Sequence, residues 1–213
     1  MTFAQLQALL ARYLGLQALA DDPVFNAWGP DALNDAHLQI ARELQIPRRV
    51  DTYVSTPDEI IIPPDIQTWG ILTAYNDTDG VPMTVISPAR SGMVTGTIPR
   101  FIVYDPSILN VRLLPQPTTP INVTTYVAIV PLQLVNDTNE PFNGRYAEFH
   151  HVVALKAALD ILDGDIGGDD QRVQWLMSRY LDSMRRFERA VDEGKDVRPR
   201  SKVVIDDVAG AKT

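Results

Sequence analysis

The chain has 213 residues, 45% hydrophobic and 22% charged, with a formal net charge of −8 and no cysteine. These are globular values that exclude wholesale disorder, and the length suits one large domain or two small ones. The acidic balance argues against the whole protein clinging to nucleic acid, and the missing thiols exclude disulfides, thiolate metal sites and cysteine nucleophiles.

Met1–Ala20 lacks a basic n-region and carries Arg12 within its apolar stretch, so it reads as a helix and not as a signal peptide. No apolar run approaches membrane-spanning length, and no membrane partner is expected. Phe3, Leu6, Leu9, Leu10, Tyr13 and Leu14 recur at helical spacing behind Thr2, a candidate N-cap. Asp21-Asp22-Pro23 and Trp28-Gly29-Pro30 punctuate a loop. A second helix is expected from Asp31 to just before Pro47, with Leu33, His37, Ile40, Ala41 and Leu44 on one face.

Residues 47–141 hold 13 of the 16 prolines, and residues 31–46 and 142–198 hold none. Proline has no backbone N–H and clashes inside a helix, so this distribution predicts a β lobe inserted into a helical body. Val111 and Leu113 alternate with Arg112, and Ile121, Val123, Thr125 and Val127 alternate with Asn122, Thr124 and Tyr126. That period of two marks half-buried strands. Trp69, Ile71, Thr73 and Tyr75 form a similar face, and Asp77-Thr78-Asp79-Gly80 is the turn into a strand over Val81–Ser87. Phe101–Tyr104 is apolar throughout and expected to be buried on both faces. About six short strands fit a small antiparallel sandwich or barrel.

A third helix is expected from Tyr146 to Leu162, buried on most sides, and stopped by Gly164 and Gly167-Gly168. A fourth carries Val173, Leu176, Met177, Tyr180, Leu181, Met184, Phe187 and Val191 as one packing face. The third and fourth helices are expected to form an antiparallel hairpin with the first two packed against it. The fold class is therefore α+β. A bundle of about four helices spans 1–46 and 142–193, an inserted β lobe spans 47–141, and an extended tail spans 194–213.

Reaction chemistry is sparse. Glu148-x-x-His151 has the spacing of a di-iron ligand pair, but the only other histidines are His37 and His150, and no second Glu-x-x-His exists. Asp163–Asp170 invites a calcium reading, but counting from Asp163 the twelfth position is Gln174, not a bidentate Glu, and Gly167 stands at the fifth. A helix stop followed by a helix cap explains that loop more economically. There is no Gly-x-Ser-x-Gly elbow and no phosphate-binding Gly-rich loop. No metal, cofactor or catalytic residue is expected.

The basic residues are 15 Arg against four Lys. The planar guanidinium fork suits interfaces, although a high-GC genome produces the same bias. Arg172, Arg179 and Arg186 lie seven apart on one stripe of the fourth helix, with Arg185 and Arg189 beside it. The stripe reads either as a solvated face with salt bridges to Asp182 and Glu188 or as a basic strip facing an acidic partner or nucleic acid. The tail opens with Lys195, Arg198, Arg200 and Lys202, continues into the β-prone Val203-Val204-Ile205, and reaches Asp206-Asp207. It has too little apolar surface to fold alone, which makes it a candidate grip on a neighbouring chain.

The order of these motifs resembles the head-to-tail adaptor (connector or neck) proteins of tailed bacteriophages. Trp28 to Ile46, beginning Trp-Gly-Pro-Asp-Ala-Leu-Asn-Asp-Ala-His-Leu-Gln-Ile-Ala-Arg-Glu-Leu, is similar to that family's Leu-Asn-x-Ala…Ile-Ala helix. Tyr104-Asp105-Pro106, and then Val111 through Pro115-Gln116-Pro117, resemble short strands ending in a Pro-x-Pro turn. Ile121–Pro131 resembles the next strand and its exit, and Pro141 to Leu162 the return into the bundle. The resemblance implies a ring of twelve subunits under the portal of a DNA-filled capsid, surrounding the DNA channel without sequence-specific binding. It implies as partners the portal and a tail tube, nozzle or other neck protein, a virion location after synthesis in the host cytoplasm, and no catalysis. A cytoplasmic non-enzymatic binding or regulatory module using the Arg stripe is the alternative from another class.

Overall fold

The computed structural model describes residues 1–56, 59–61, 68–104, 110–164 and 170–193. Helix α1 (Phe3–Leu14) opens with a capping box, in which the Gln5 N–H donates to Thr2 Oγ1 and the Thr2 N–H donates to Gln5 Oε1. It buries Phe3, Leu6, Leu10, Ala11 and Leu14, while Leu9 and Tyr13 of the face read from the sequence are half-buried. Gly15 closes it at φ 80°, a left-handed conformation that glycine adopts without a Cβ penalty.

Helix α2 runs from Pro23 to Leu44, so it begins at Pro23 and not at Asp31. The Asp22 carboxylate accepts the N–H groups of Val24 and Phe25, and Pro23 occupies the first turn, where a missing N–H costs nothing. Trp28-Gly29-Pro30 is therefore helix and not loop. Gly29 is there for close packing: a Cβ on it would lie 2.8 Å from Leu19 Cδ1. Pro30 forfeits only the bond to the carbonyl four residues earlier, on exposed Asn26.

Among the described residues seven strands follow: β1 (Arg48–Val54), β2 (Glu59–Ile61), β3 (Thr68–Asn76), β4 (Val81–Ile86), β5 (Phe101–Tyr104), β6 (Asn110–Leu114) and β7 (Asn122–Ile129). They form one sheet in the order β1-β7-β3-β4-β5-β6-β2, with β1 and β2 as its edges. The expected wholly antiparallel sandwich or barrel is thus a mixed, open sheet, because β4 pairs β5 in parallel. The long link between β4 and β5, with a 3₁₀ turn at Pro88–Met93, allows that crossover where a tight hairpin would not. β4 also joins two halves: its first residues pair β3 and its last pair β5. Ile71 and Val127 from one half share a buried cluster with Ile102, Val111 and Leu113 from the other, so the sheet curls around its own core.

The expected face Trp69-Ile71-Thr73-Tyr75, of which the Trp69 side chain lies outside the described residues, is broken. The β3–β7 register shifts between Ile71 and Thr73, which leaves Thr73 exposed while Ile71 and Ala74 are buried. Ile102 and Val103 are buried as expected of the β5 run, whereas its end residues Phe101 and Tyr104 are only half-buried.

The chain re-enters the helical body through Leu134, which packs in the helical core and is clamped by Asn34. The Asn34 side chain donates to the Leu134 carbonyl at 3.1 Å and accepts its N–H at 2.8 Å. Phe142, Asn143 and Tyr146 all take positive φ, so the third helix starts later than expected, after a 3₁₀ turn at Ala147–Phe149. Helix α3 (His151–Gly164) buries Val152–Leu155 and Ala157–Leu159 and packs against α1, α2 and α4 (Asp170–Glu193). Among the described residues no helix is long and apolar enough to cross a membrane.

Candidate functional site

The buried side of α4 holds Leu176, Met184, Phe187 and Val191, with Val173 and Tyr180 half-buried. Phe187 stacks on Phe149 at 4.7 Å and meets Phe142 and Tyr146 at 5.4 Å each. Met177 and Leu181, expected on this face, are 44% and 46% exposed. They lie at the margin of the packing stripe, where α3 does not cover them.

The other margin of α4 carries Arg172, Arg179 and Arg186, all exposed. Among the described residues none of the three forms an ion pair, so the salt bridges to Asp182 and Glu188 expected of a solvated face are not made. The structure brings two of the three into a groove of about 550 Å³ between α1 and α4, lined by Leu9, Arg12, Tyr13, Gln171, Arg172, Trp175 and Arg179. Arg172 Nη1 donates to the Leu14 carbonyl at 3.3 Å, tying α4 to the end of α1. The Arg179 guanidinium lies over the Trp175 ring at 4.8 Å, and Trp175 meets Tyr13 edge-on at 6.3 Å. Burial raises the Tyr13 pKa, and the charge of Arg179 opposes that rise. Arg186 continues the stripe outside the groove.

Sequence reasoning missed Arg12, Tyr13 and Trp175 as partners of this stripe. Arg12 and Tyr13 read there as parts of an isolated amphipathic helix. Only the packing of α1 on α3 and α3 on α4 brings residues some 160 positions apart to one groove. The chemistry available is recognition of carboxylate or phosphate by guanidinium forks beside an aromatic surface.

Other exposed apolar groups are scattered over both regions. Val24 and Trp28 stand one turn apart on α2, Leu132 and Val135 on the return loop, and Val50 and Val54 on the edge strand β1. Edge strands and exposed apolar groups are features that assembling proteins use.

The histidines serve packing. His37 Nε2 accepts the Phe142 N–H at 2.9 Å, and burial, seconded by the charge of His150, lowers its pKa to about 4. His150 Nε2 lies 2.7 Å from the Arg145 carbonyl, so it must donate; Nδ1 then accepts from the Met1 ammonium at 2.9 Å. His151 bonds the Glu148 carbonyl and Ser183 Oγ through its two ring nitrogens. Burial lowers the pKa of both His150 and His151. Among the described residues no group of three or more His, Asp or Glu is placed to hold a metal. Most of the Asp163–Asp170 loop lies outside the described residues, as do Lys195, Arg198, Arg200, Lys202, Val203, Val204 and Ile205.

The family model for the SU10 adaptor protein matches residues 1–203. The chain therefore belongs to the SU10 adaptor protein family, a family of phage adaptors. No curated protein matches it.

Proposed function

We propose that this phage adaptor is a non-enzymatic structural joint between head and tail. Its subunits assemble as a ring of twelve in the neck of the virion, with the portal on one side, a tail tube, nozzle or other neck protein on the other, and the DNA channel at the centre. The match over residues 1–203 carries this reading. The exposed Arg172, Arg179 and Arg186, which form no ion pair among the described residues, and the uncovered Trp28, Leu132 and Val135 support it as surfaces available to partners.

In this reading the body of 1–46 and 142–193 and the lobe of 47–141 form the ring, and the tail of 194–213 is the grip. Lys195, Arg198, Arg200 and Lys202 pair with acidic groups, and Val203, Val204 and Ile205 add apolar contact to the portal or a neighbouring subunit. Co-sedimentation of the full chain with purified portal rings tests it. The full chain is expected to pellet with the rings. Deletion of residues 195–213 is expected to abolish pelleting while shifting the melting temperature by no more than a degree or so. Failure of the full chain to bind would overturn the proposal; binding by the shortened chain would move the grip to α3 and α4.

A further inference from the structure

The α1–α4 groove is a cationic recess on an acidic chain. Arg12, Arg172 and Arg179 meet there, and among the described residues none of them has a carboxylate partner. Two of the forks are already held in place, Arg172 by the Leu14 carbonyl and Arg179 by the Trp175 ring. A held fork loses less freedom when a carboxylate arrives. Leu9, Tyr13 and Trp175 form the apolar part of the wall, so the fitting ligand joins apolar side chains to adjacent carboxylates.

The chain itself contains such a segment. Residues 203–207 read Val-Val-Ile-Asp-Asp: three β-branched apolar side chains followed directly by two carboxylates. The comparable run around Glu59–Ile61 has its backbone committed to the pairing of β2 with β6. We propose that segment 203–207 of a second copy of this chain seats in the groove and links one subunit to the next. This deepens the homo-oligomeric reading given above and rests on it.

Reach allows either copy, since Trp175 lies about 27 Å back along α4 from Glu193, and the homo-oligomeric reading given above selects the second. Residue 203 lies ten positions beyond Glu193, so it reaches roughly 33 Å from the end of α4 when extended. The groove sits around Arg172–Arg179, on the opposite half of α4 from the point where the tail departs. To enter its own groove the tail would double back along α4. That path lays Lys195, Arg198, Arg200 and Lys202 along a stretch of α4 that carries exposed Asp182, Glu188, Asp192 and Glu193 as well as Arg185, Arg186 and Arg189, so charge does not separate the two routes. A nucleic-acid duplex fits less well, because the chain's net charge of −8 repels phosphate.

The absence of native cysteine makes the test direct. Two full-length variants, Gln171→Cys and Ile205→Cys, are mixed with portal rings and oxidised, and products are resolved on a non-reducing gel. A disulfide-linked heterodimer is expected. Adding Asp206→Arg and Asp207→Arg to the Ile205→Cys chain is expected to lower its yield at least tenfold. Further adding Arg172→Asp and Arg179→Asp to the Gln171→Cys chain is expected to restore it. A chain carrying both cysteines is expected to give a ladder of multimers. Intrachain closure alone, no cross-link, or displacement of the cross-link by a duplex oligonucleotide would each overturn the proposal. Pelleting of the same samples with portal rings separates that outcome from failure of the adaptor reading, which the loss of pelleting by the unsubstituted chain would signal.

Discussion

The helical body and the β lobe are stabilised in different ways. The body closes on a cluster of rings drawn from distant parts of the chain: His37, Phe142, Tyr146, Phe149, His150 and Phe187 touch one another in sequence-remote pairs. The lobe closes on ladder hydrogen bonds and a smaller cluster of mostly aliphatic side chains. Close-packed rings tolerate truncation poorly, whereas a curled sheet with open edges has room to settle.

Truncation of the ring cluster is therefore expected to have the largest effect. Phe142 is fully buried, contacts three rings and donates its N–H to His37. Phe142→Ala is expected to cost about 3–5 kcal/mol of stability. Leu113→Ala in the lobe, also buried, is expected to fall near the lower end of the range for such changes, about 2–3 kcal/mol. Urea melts of both variants decide the matter, and a lobe variant as damaged as Phe142→Ala would erase the contrast.

Acid should strike the body before the lobe, because all three histidines pack in the body. Burial holds His37 neutral in the fold, with a pKa of about 4 against 6.5 when unfolded. Between those values the unfolded chain binds more protons, so stability rises with pH. The contribution is complete above about pH 6.5 and is lost progressively as pH falls towards 4. His150 and His151 are lowered by burial as well, so their contributions have the same sign. The urea midpoint is expected to fall between pH 7 and pH 5, and His37→Gln, which keeps an acceptor for the Phe142 N–H, is expected to flatten that fall. An unchanged slope would remove His37 from the account.

A smaller effect is expected where the body borders the groove. Gly15 has φ 80°, and a Cβ on it would lie 2.8 Å from Arg172 Nη1. Gly15→Ala combines left-handed strain of about 1 kcal/mol with displacement of a flexible guanidinium. A loss of about 1–2 kcal/mol by thermal melting is expected, together with weakened assembly.

The two regions also differed in how far the sequence revealed them. Helical periodicity identified the buried faces of α1 and α2 and most of that of α4, because one turn of helix brings residues three and four apart together whatever lies beyond. The error at α2 came from treating Gly29 and Pro30 as breakers, when Gly29 serves close contact with Leu19 and Pro30 sits in the exposed half. In the lobe, alternation located β6 and β7 well. It did not reveal the bulge in β3 or the parallel pairing of β4 with β5, since both depend on which strand lies alongside. The groove was half legible for the same reason. Seven-residue spacing pointed to Arg172 and Arg179, but nothing local joins them to Arg12 and Tyr13.

The smallest stability effect, and the sharpest separation of packing from assembly, is expected on α4 itself. Replacing Arg172, Arg179 and Arg186 with Gln removes three charges and leaves Leu176, Met184, Phe187 and Val191 untouched. Arg186 has no partner to lose among the described residues, Arg179 loses a cation–π contact on an exposed ring, and Arg172 loses one hydrogen bond to a carbonyl. Exposed changes of this kind stay within about 0.5 kcal/mol each, so the triple variant is expected to melt within a few degrees of the parent. Its assembly with portal rings is expected to fail, and Arg172→Lys with Arg179→Lys is expected to restore it only in part, because an ammonium keeps the charge but not the fork. A triple variant that assembles normally would show the stripe to be merely solvated, and one that unfolds would show that the two faces of α4 are not separable.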